Sequence, residues 1–475
     1  MKSSCPPLRS LPMAASLGLV ALLSACIPQA APAQPTASVV AAATATVLPS
    51  ATPKPTALPT FTPGPTSEPG VLVVDAAQLL GDVNPLVYGS NAGPWQTITK
   101  ADKTLIQEAG FTILRFPGGN YVDENAPSFS ALDEFIAMCR EVGAEPMVEV
   151  KLVNSTAKAA ADMVTYANIT KGYGVKYWSI GNEPSLYWGQ RGIDGYDTDT
   201  FNAQWREFAL AMKAIDPSIQ LLGPETHQYT GQPGDAIVDL HYKDWMREFL
   251  VVNGDLVDIV SFHRYPFGNF DPFEGELLRS SEEWDKIIPN LRALVLATTG
   301  KDLPIAVTEV NSNWSNRSLK ETTPDTLVNA IWWADALGRM IEQKVSIVNQ
   351  FALDGNGGWA LLSTKTPRPS YYVYLLYRNF GDQLIFSSSG IAGVSIFSSL
   401  RSDGNLALIL VNRNTEAVQV PLELRHFAAA PTSQILLLDA GHSAESIASL
   451  VFGDSTTINL PALSALSITI PPAAK

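Results

Sequence analysis

The sequence predicts an α/β protein, a (β/α)8 TIM barrel with a C-terminal antiparallel β-sandwich, and three observations carry that reading. Short apolar runs alternate with longer amphipathic ones through the middle of the chain, and strands separated by helical crossovers pair in parallel and close into a barrel. Two glutamates far apart in sequence, Glu183 and Glu309, each stand at the end of one of those apolar runs, where a barrel presents its active site. After Phe380 the pattern changes to short alternating runs separated by Gly, Asn, Asp and Pro, the signature of antiparallel strands packed face to face.

Taken in chain order, residues 1–25 read as an address. Lys2 and Arg9 precede an apolar stretch at 11–23, too short for a permanent membrane span, and Leu23-Ser24-Ala25-Cys26 follows. That string resembles the lipobox of bacterial lipoproteins, which implies cleavage before Cys26, lipidation of its sulfur and an extracytoplasmic, membrane-anchored location at the cell surface. Residues 26–70 are dominated by Pro, Thr, Ala and Ser, a composition that buries no core. An extended linker of this kind spans about 3.1 Å per residue, so it would hold a domain on the order of 100 Å from its anchor. After lipidation Cys139 has no partner; set among Phe135, Ile136 and Met138, it is expected as a small buried hydrophobe.

The barrel is expected over 71–380 and the sandwich over 381–475, with 71–75 adding one strand to the sandwich. The strand candidates are 86–90, 112–116, 146–152, 175–180, 220–223, 257–263, 303–309 and 347–351. Helix candidates between them include 132–142, 200–214, 325–342 and 370–380. In the last region, strands are expected at 393–397, 406–411, 418–422, 433–438 and 467–470. A net charge of −14 argues against a nucleic-acid partner and is compatible with neutral carbohydrate. Oligomeric state has no signature in the sequence.

Two carboxylates at the ends of two strands are what cleavage of a glycosidic bond requires: one protonates the leaving oxygen, the other attacks or stabilises the anomeric carbon. Four stretches then carry a resemblance: Asn84-Pro85-Leu86-Val87-Tyr88-Gly89-Ser90-Asn91, Leu114-Arg115-Phe116-Pro117-Gly118-Gly119-Asn120, Trp178-Ser179-Ile180-Gly181-Asn182-Glu183-Pro184 and Thr308-Glu309. Together they resemble the retaining glycoside hydrolases of clan A, near the α-L-arabinofuranosidases, β-xylosidases, xyloglucan-type endoglucanases and heparanase-like β-glucuronidases.

The resemblance implies Glu183 as general acid/base and Glu309 as nucleophile, with a covalent glycosyl-enzyme and net retention. An acid has to be protonated near neutral pH and a nucleophile ionised. It further implies that Asn182 bonds the sugar 2-hydroxyl and that Arg115, at the end of the second strand, faces the nucleophile and keeps it ionised. His263 and Tyr265, two apart after the sixth strand, fall on one face and would point at the sugar, while Arg264 points away unless its loop redirects it toward a uronate. Trp95, Tyr187, Trp188, Trp314 and Trp359 lie in loops after strands, where an aromatic face stacks on a sugar ring or packs in the core. His227, His241, His426 and His442 show no zinc spacing, and no Gly-x-Gly-x-x-Gly follows a strand, so neither metal nor cofactor is expected. The expected function is therefore hydrolysis of extracellular poly- or oligosaccharide by double displacement, the alternative being a catalytically inactive carbohydrate-binding surface lipoprotein. Transglycosylation would use the same residues.

Overall fold

A computed structural model describes residues 68–474 apart from 233, 319, 364 and 453–455. The expected leader, linker and lipidated Cys26 lie outside the described residues. The first strand, β1 (Leu72–Asp82), is followed by eight that close on themselves: β2 (Gly89–Asn91), β3 (Ile113–Phe116), β4 (Glu145–Val150), β5 (Tyr177–Ile180), β6 (Gln220–Thr226), β7 (Ile259–Arg264), β8 (Ile305–Val310) and β9 (Ile347–Gln350). Each pairs in parallel with the next, and β2 pairs in parallel with β9. All eight strand candidates thus become the barrel. The first starts later than expected because Pro85–Val87 forms a 3-10 turn, capped by the Asn84 side chain accepting from Leu86 N–H. Proline at the first position of such a turn gives up no hydrogen bond the turn needs.

Two apolar layers hold the barrel. Inside it, Ile113, Met147, Leu222, Ile259, Ala306 and Ile347, from β3, β4, β6, β7, β8 and β9, form a closed plug. Outside it, the strands' other faces meet the helices. The helix Phe129–Val142 shows why such a segment folds: Leu132, Phe135, Ile136, Cys139 and Val142 recur at spacings of three and four and are all buried. Ser128 caps its first turn and Gly143, at φ +80°, ends it. Cys139 is a buried free thiol.

The short hairpin β10 (Leu362–Ser363) and β11 (Thr366–Pro367) precedes the helix Pro369–Tyr377. Eight further strands follow: β12 (Gln383–Ser389), β13 (Val394–Leu400), β14 (Leu406–Asn412), β15 (Val418–Arg425), β16 (Gln434–Leu438), β17 (Ser443–Ile447), β18 (Thr456–Leu460) and β19 (Ser464–Ile470). With β1 they form one nine-stranded sheet in the order β17-β16-β19-β14-β13-β12-β1-β15-β18. The sandwich is therefore a single curled sheet, its faces continuous through β1, which pairs antiparallel with β12 and parallel with β15. Strands β12, β17 and β18 had no candidate in the sequence; β17 is mostly solvent-facing and carries little apolar pattern. Strand β14 is buried on both faces. Leu406, Leu408 and Leu410 enter the sheet's own core, while Ala407, Ile409 and Val411 join the core shared with the barrel.

Candidate active site

Strand ends bring the polar residues together. Glu183 follows β5 with φ +47°, and Glu225, near the end of β6, has φ +57°. Both lie in the left-handed region, which costs a non-glycine residue on the order of 1 kcal/mol or more and is retained where surrounding structure over-determines it. Here the Glu183 N–H donates to the Glu225 carbonyl at 3.1 Å, tying the two strand ends together.

Arg115, fully buried on β3, is the hub. Its Nη1 donates to Glu309 Oε1 at 2.7 Å and to Asn91 Oδ1 at 2.9 Å; its Nη2 donates to Glu149 Oε1 at 2.7 Å and to Asn182 Oδ1 at 3.0 Å. The second oxygen of Glu309 accepts from the Tyr265 hydroxyl at 2.8 Å. Glu309, on β8, is thereby held at both oxygens. Asn182 also donates from Nδ2 to Asn120 Oδ1 at 3.1 Å.

Glu183 is held differently. His263 Nδ1 lies 3.0 Å from Glu183 Oε1, and its Nε2 lies 2.9 Å from Glu225 Oε2. Glu225 in turn accepts from Ser261 at 2.8 Å and Thr308 at 2.5 Å. Burial alone would discharge the His263 imidazolium, but the Glu309 charge and the bonds to Glu183 and Glu225 push its pKa up to about 10. Burial would likewise raise Glu183, yet His263 beside it brings the carboxyl below its ordinary value. These surroundings therefore favour the proton on His263 and not on Glu183 itself, where an acid is expected to carry it. Burial raises Glu149 well above the usual carboxylate range, only partly offset by Arg115, and pushes Asp123 up to about 7.

Glu183, His263 and Glu309 each offer one atom within 4.8 Å of the others. Among the described residues they are the one such grouping by which a cation could be held, although both His263 nitrogens already face carboxylates. The two glutamates open into a cavity of about 400 Å³, also lined by Asn182, Tyr265, Trp314 and Trp359. The Trp359 indole N–H donates to the Asn313 carbonyl at 3.0 Å, which fixes the ring in the cavity wall. Tyr187 is instead buried, its hydroxyl donating to Asp123 at 2.7 Å. Arg264 is not redirected toward the cavity: Nε and Nη2 donate to the Glu283 carboxylate at 2.9 and 2.6 Å.

Sequence reasoning passed over Glu149, Glu225 and Asp123. Glu149 had a visible signal, a charge inside an apolar run. Glu225 had none, because the apolar run of β6 ends at Gly223, before Pro224.

No protein-family model matches the chain. It is 25% identical over 343 residues to a protein of Streptomyces lividans named intracellular exo-α-(1→5)-L-arabinofuranosidase, covering 58% of this chain and 48% of that one. The chain spans about half the length of the curated relatives it matches. Among solved structures, an α-L-arabinofuranosidase from Thermotoga maritima in complex with arabinose superposes with a TM-score of 0.66 at 18% identity, over 84% of this chain and 99% of that one. CelM2, a bifunctional glucanase-xylanase from a metagenome library, superposes with a TM-score of 0.68 at 19% identity, over 86% of this chain and all of the other. The barrel-plus-sheet architecture is that of these enzymes, and the expected resemblance to this group of glycoside hydrolases is borne out.

One expectation is overturned. Curated relatives from Streptomyces lividans, Bacillus subtilis, Acetivibrio thermocellus and Halalkalibacterium halodurans are all named intracellular, which contradicts an extracytoplasmic, membrane-anchored lipoprotein. That reading rested on one short apolar run and the four residues ending at Cys26. So few apolar and small residues arise readily in an alanine-rich segment, whereas the barrel rested on many spaced signals.

Proposed function

We propose that this chain is a retaining glycoside hydrolase acting on arabinofuranosides, with Glu309 as nucleophile and Glu183 as general acid/base. The observation that carries the reading is the contrast between two neighbouring carboxylates. Glu309 is fixed at both oxygens by Arg115 and Tyr265, while Glu183 meets only a protonated imidazole. Oxygens within 4.8 Å of each other leave no room for an attacking water between a carboxylate and the anomeric carbon, and this spacing suits attack by a carboxylate rather than by water.

In the first step a Glu309 oxygen bonds to the anomeric carbon as the bond to the leaving oxygen breaks, and Glu183 delivers the proton. A leaving oxygen packed against Glu183 excludes water, which disfavours the separated charges of the His263–Glu183 pair and moves the proton from Nδ1 to Oε1. In the second step Glu183 takes a proton from water as the water oxygen bonds to the anomeric carbon and the bond to Glu309 breaks. Asn182, anchored by Arg115 and Asn120, lines the cavity and would bond a ring 2-hydroxyl, and Trp359, in the same wall, would stack on a sugar ring. The arabinofuranoside preference is taken from the names of the relatives. No observation favours an inactive binding protein.

The test is a panel of aryl glycosides covering arabinofuranoside, xyloside, glucoside, galactoside and glucuronide. Arabinofuranoside should turn over fastest, and Glu309→Gln should lower its turnover by about a thousandfold or more. A folded Glu309→Gln protein that keeps more than a few per cent of activity removes Glu309 from the role.

A further inference from the structure

Two loops meet at Asp123. The short helix Tyr121–Glu124 follows β3, and side chains from it and from Asn120 just before it reach the segment that carries Glu183 after β5. Asn120 Oδ1 accepts from Asn182 Nδ2 at 3.1 Å, and Glu124 Oε1 accepts from Arg191 Nη1 at 2.9 Å. Asp123 Oδ1 takes two donors, the Asn182 backbone N–H at 3.4 Å and the Tyr187 hydroxyl at 2.7 Å. These contacts differ in weight. The Glu124 side chain is 61% exposed, and an exposed pair contributes little. Asp123 and Tyr187 are buried, where a hydrogen bond is strong and costly to leave unmade.

Asp123 thereby grips both ends of one turn. Asn182 stands just before Glu183 and Tyr187 just after the 3-10 turn Pro184–Leu186 that follows it. Tyr187 folds back so far that a Cβ on Gly181 would stand 2.8 Å from its hydroxyl. A glutamate at φ +47° keeps that backbone only where its surroundings over-determine it. The Glu183 N–H is tied to the Glu225 carbonyl on β6, and Asp123 ties the same turn to the loop after β3.

We propose that Asp123 is a positioning residue for the acid/base: by joining the Asn182 N–H to the Tyr187 hydroxyl it holds the turn on which Glu183 meets the leaving oxygen. This rests on the hydrolase reading above and adds to it the group that sets the geometry of proton transfer. A proton donor has to lie within hydrogen-bond reach of the leaving oxygen, so a slackened turn weakens protonation and spares attack by Glu309.

The experiment uses aryl glycosides of the sugar turned over fastest in the panel, with leaving phenols that range from strongly to weakly acidic. A strongly acidic phenol leaves without a proton and a weakly acidic one does not, so the dependence of kcat/KM on phenol acidity reports on the acid. In Asp123→Ala, kcat/KM should fall about tenfold or more for the weakest acid and less than about threefold for the strongest. Tyr187→Phe, which removes one hydroxyl, should steepen the dependence in the same direction, and it decides the matter if Asp123→Ala folds poorly. Asp123→Asn should restore most of the loss, because it keeps an acceptor at Oδ1. The second oxygen of Asp123 is buried with no donor among the described residues, and burial pushes the carboxyl up to about 7, so a neutral group is already one of its states. Added to Glu183→Ala, Asp123→Ala should cost nothing further. Equal losses across the series, or a further loss in the Glu183→Ala background, overturn the proposal. No turnover of any aryl glycoside by the wild type is a different failure, that of the hydrolase reading, and takes the positioning role with it.

Discussion

Two glutamates acquire different chemistry from their neighbours alone. Protonation of a leaving oxygen matters most when that oxygen leaves poorly, so Glu183→Ala should impair oligosaccharide hydrolysis far more than that of an activated aryl glycoside. The glycosyl-enzyme then waits without a base to activate water, and added azide should restore turnover, giving a glycosyl azide of retained configuration. An inverted azide product would assign Glu183 as the nucleophile instead. His263 makes a separate prediction. Its folded pKa of about 10 stands above its ordinary 6.5, so its ion pairs contribute stability that is complete below about pH 6.5 and is lost as pH rises through 10. The contribution is at most about 5 kcal/mol. Denaturant unfolding across that range should show stability declining with pH, and His263→Gln should flatten the decline; an equal slope in the variant would show that the imidazole is not the titrating group.

At the scale of the element, the barrel strands act as rods whose ends set side-chain positions, and β6 shows how packing behind a strand reaches the site. Gly223 lies against the helices outside the barrel: a Cβ there would meet Phe249 Cζ at 2.7 Å and Trp205 Nε1 at 2.9 Å. Glu225, two residues on, holds His263. Gly223→Ala should destabilise the protein by roughly 1–3 kcal/mol through overpacking. It should also lower kcat on the aryl arabinofuranoside, because a displaced Glu225 releases His263 and so shifts the basic limb of the pH profile to lower pH. Loss of stability with an unaltered pH profile would uncouple β6 packing from the catalytic pair.

Barrel and curled sheet share one apolar core, which bears on how the whole molecule unfolds. Alternate residues of β14 belong to different clusters, Ala407, Ile409 and Val411 packing with the barrel's outer layer. The buried Asp335, on the helix Leu327–Glu342, accepts from Arg339 Nε at 2.8 Å and lies 3.5 Å from Arg413 Nε just after β14. Strand β1, at the start of the described chain, pairs only within the sheet. Separating the two parts would expose shared apolar surface and break the Asp335–Arg413 pair, so calorimetry should show a single cooperative transition. Two transitions well apart in temperature, or a stable folded chain ending at residue 380, would show that the parts are independent.

Local pattern alone determined the strand-helix alternation, all eight barrel strands, the buried face of helices such as Phe129–Val142, and the place of Glu183, Glu309, Asn182, Arg115, His263 and Tyr265 at strand ends. Each is written in a few neighbouring residues, as a period or as a residue type following an apolar run, and a closed barrel converts place along a strand into place at its mouth. Only the tertiary structure decided the rest. Glu225 reaches His263 across two strands through a backbone in the left-handed region, a conformation no side-chain pattern announces. The proton's place on His263 and the lowered Glu183 both follow from charges brought together from four different strands; that 71–75 would join the sheet was expected, but its pairing antiparallel with β12 and parallel with β15 was not. Electrostatics and long-range pairing depend on distance in space, and sequence separation carries no measure of that distance until the chain is folded.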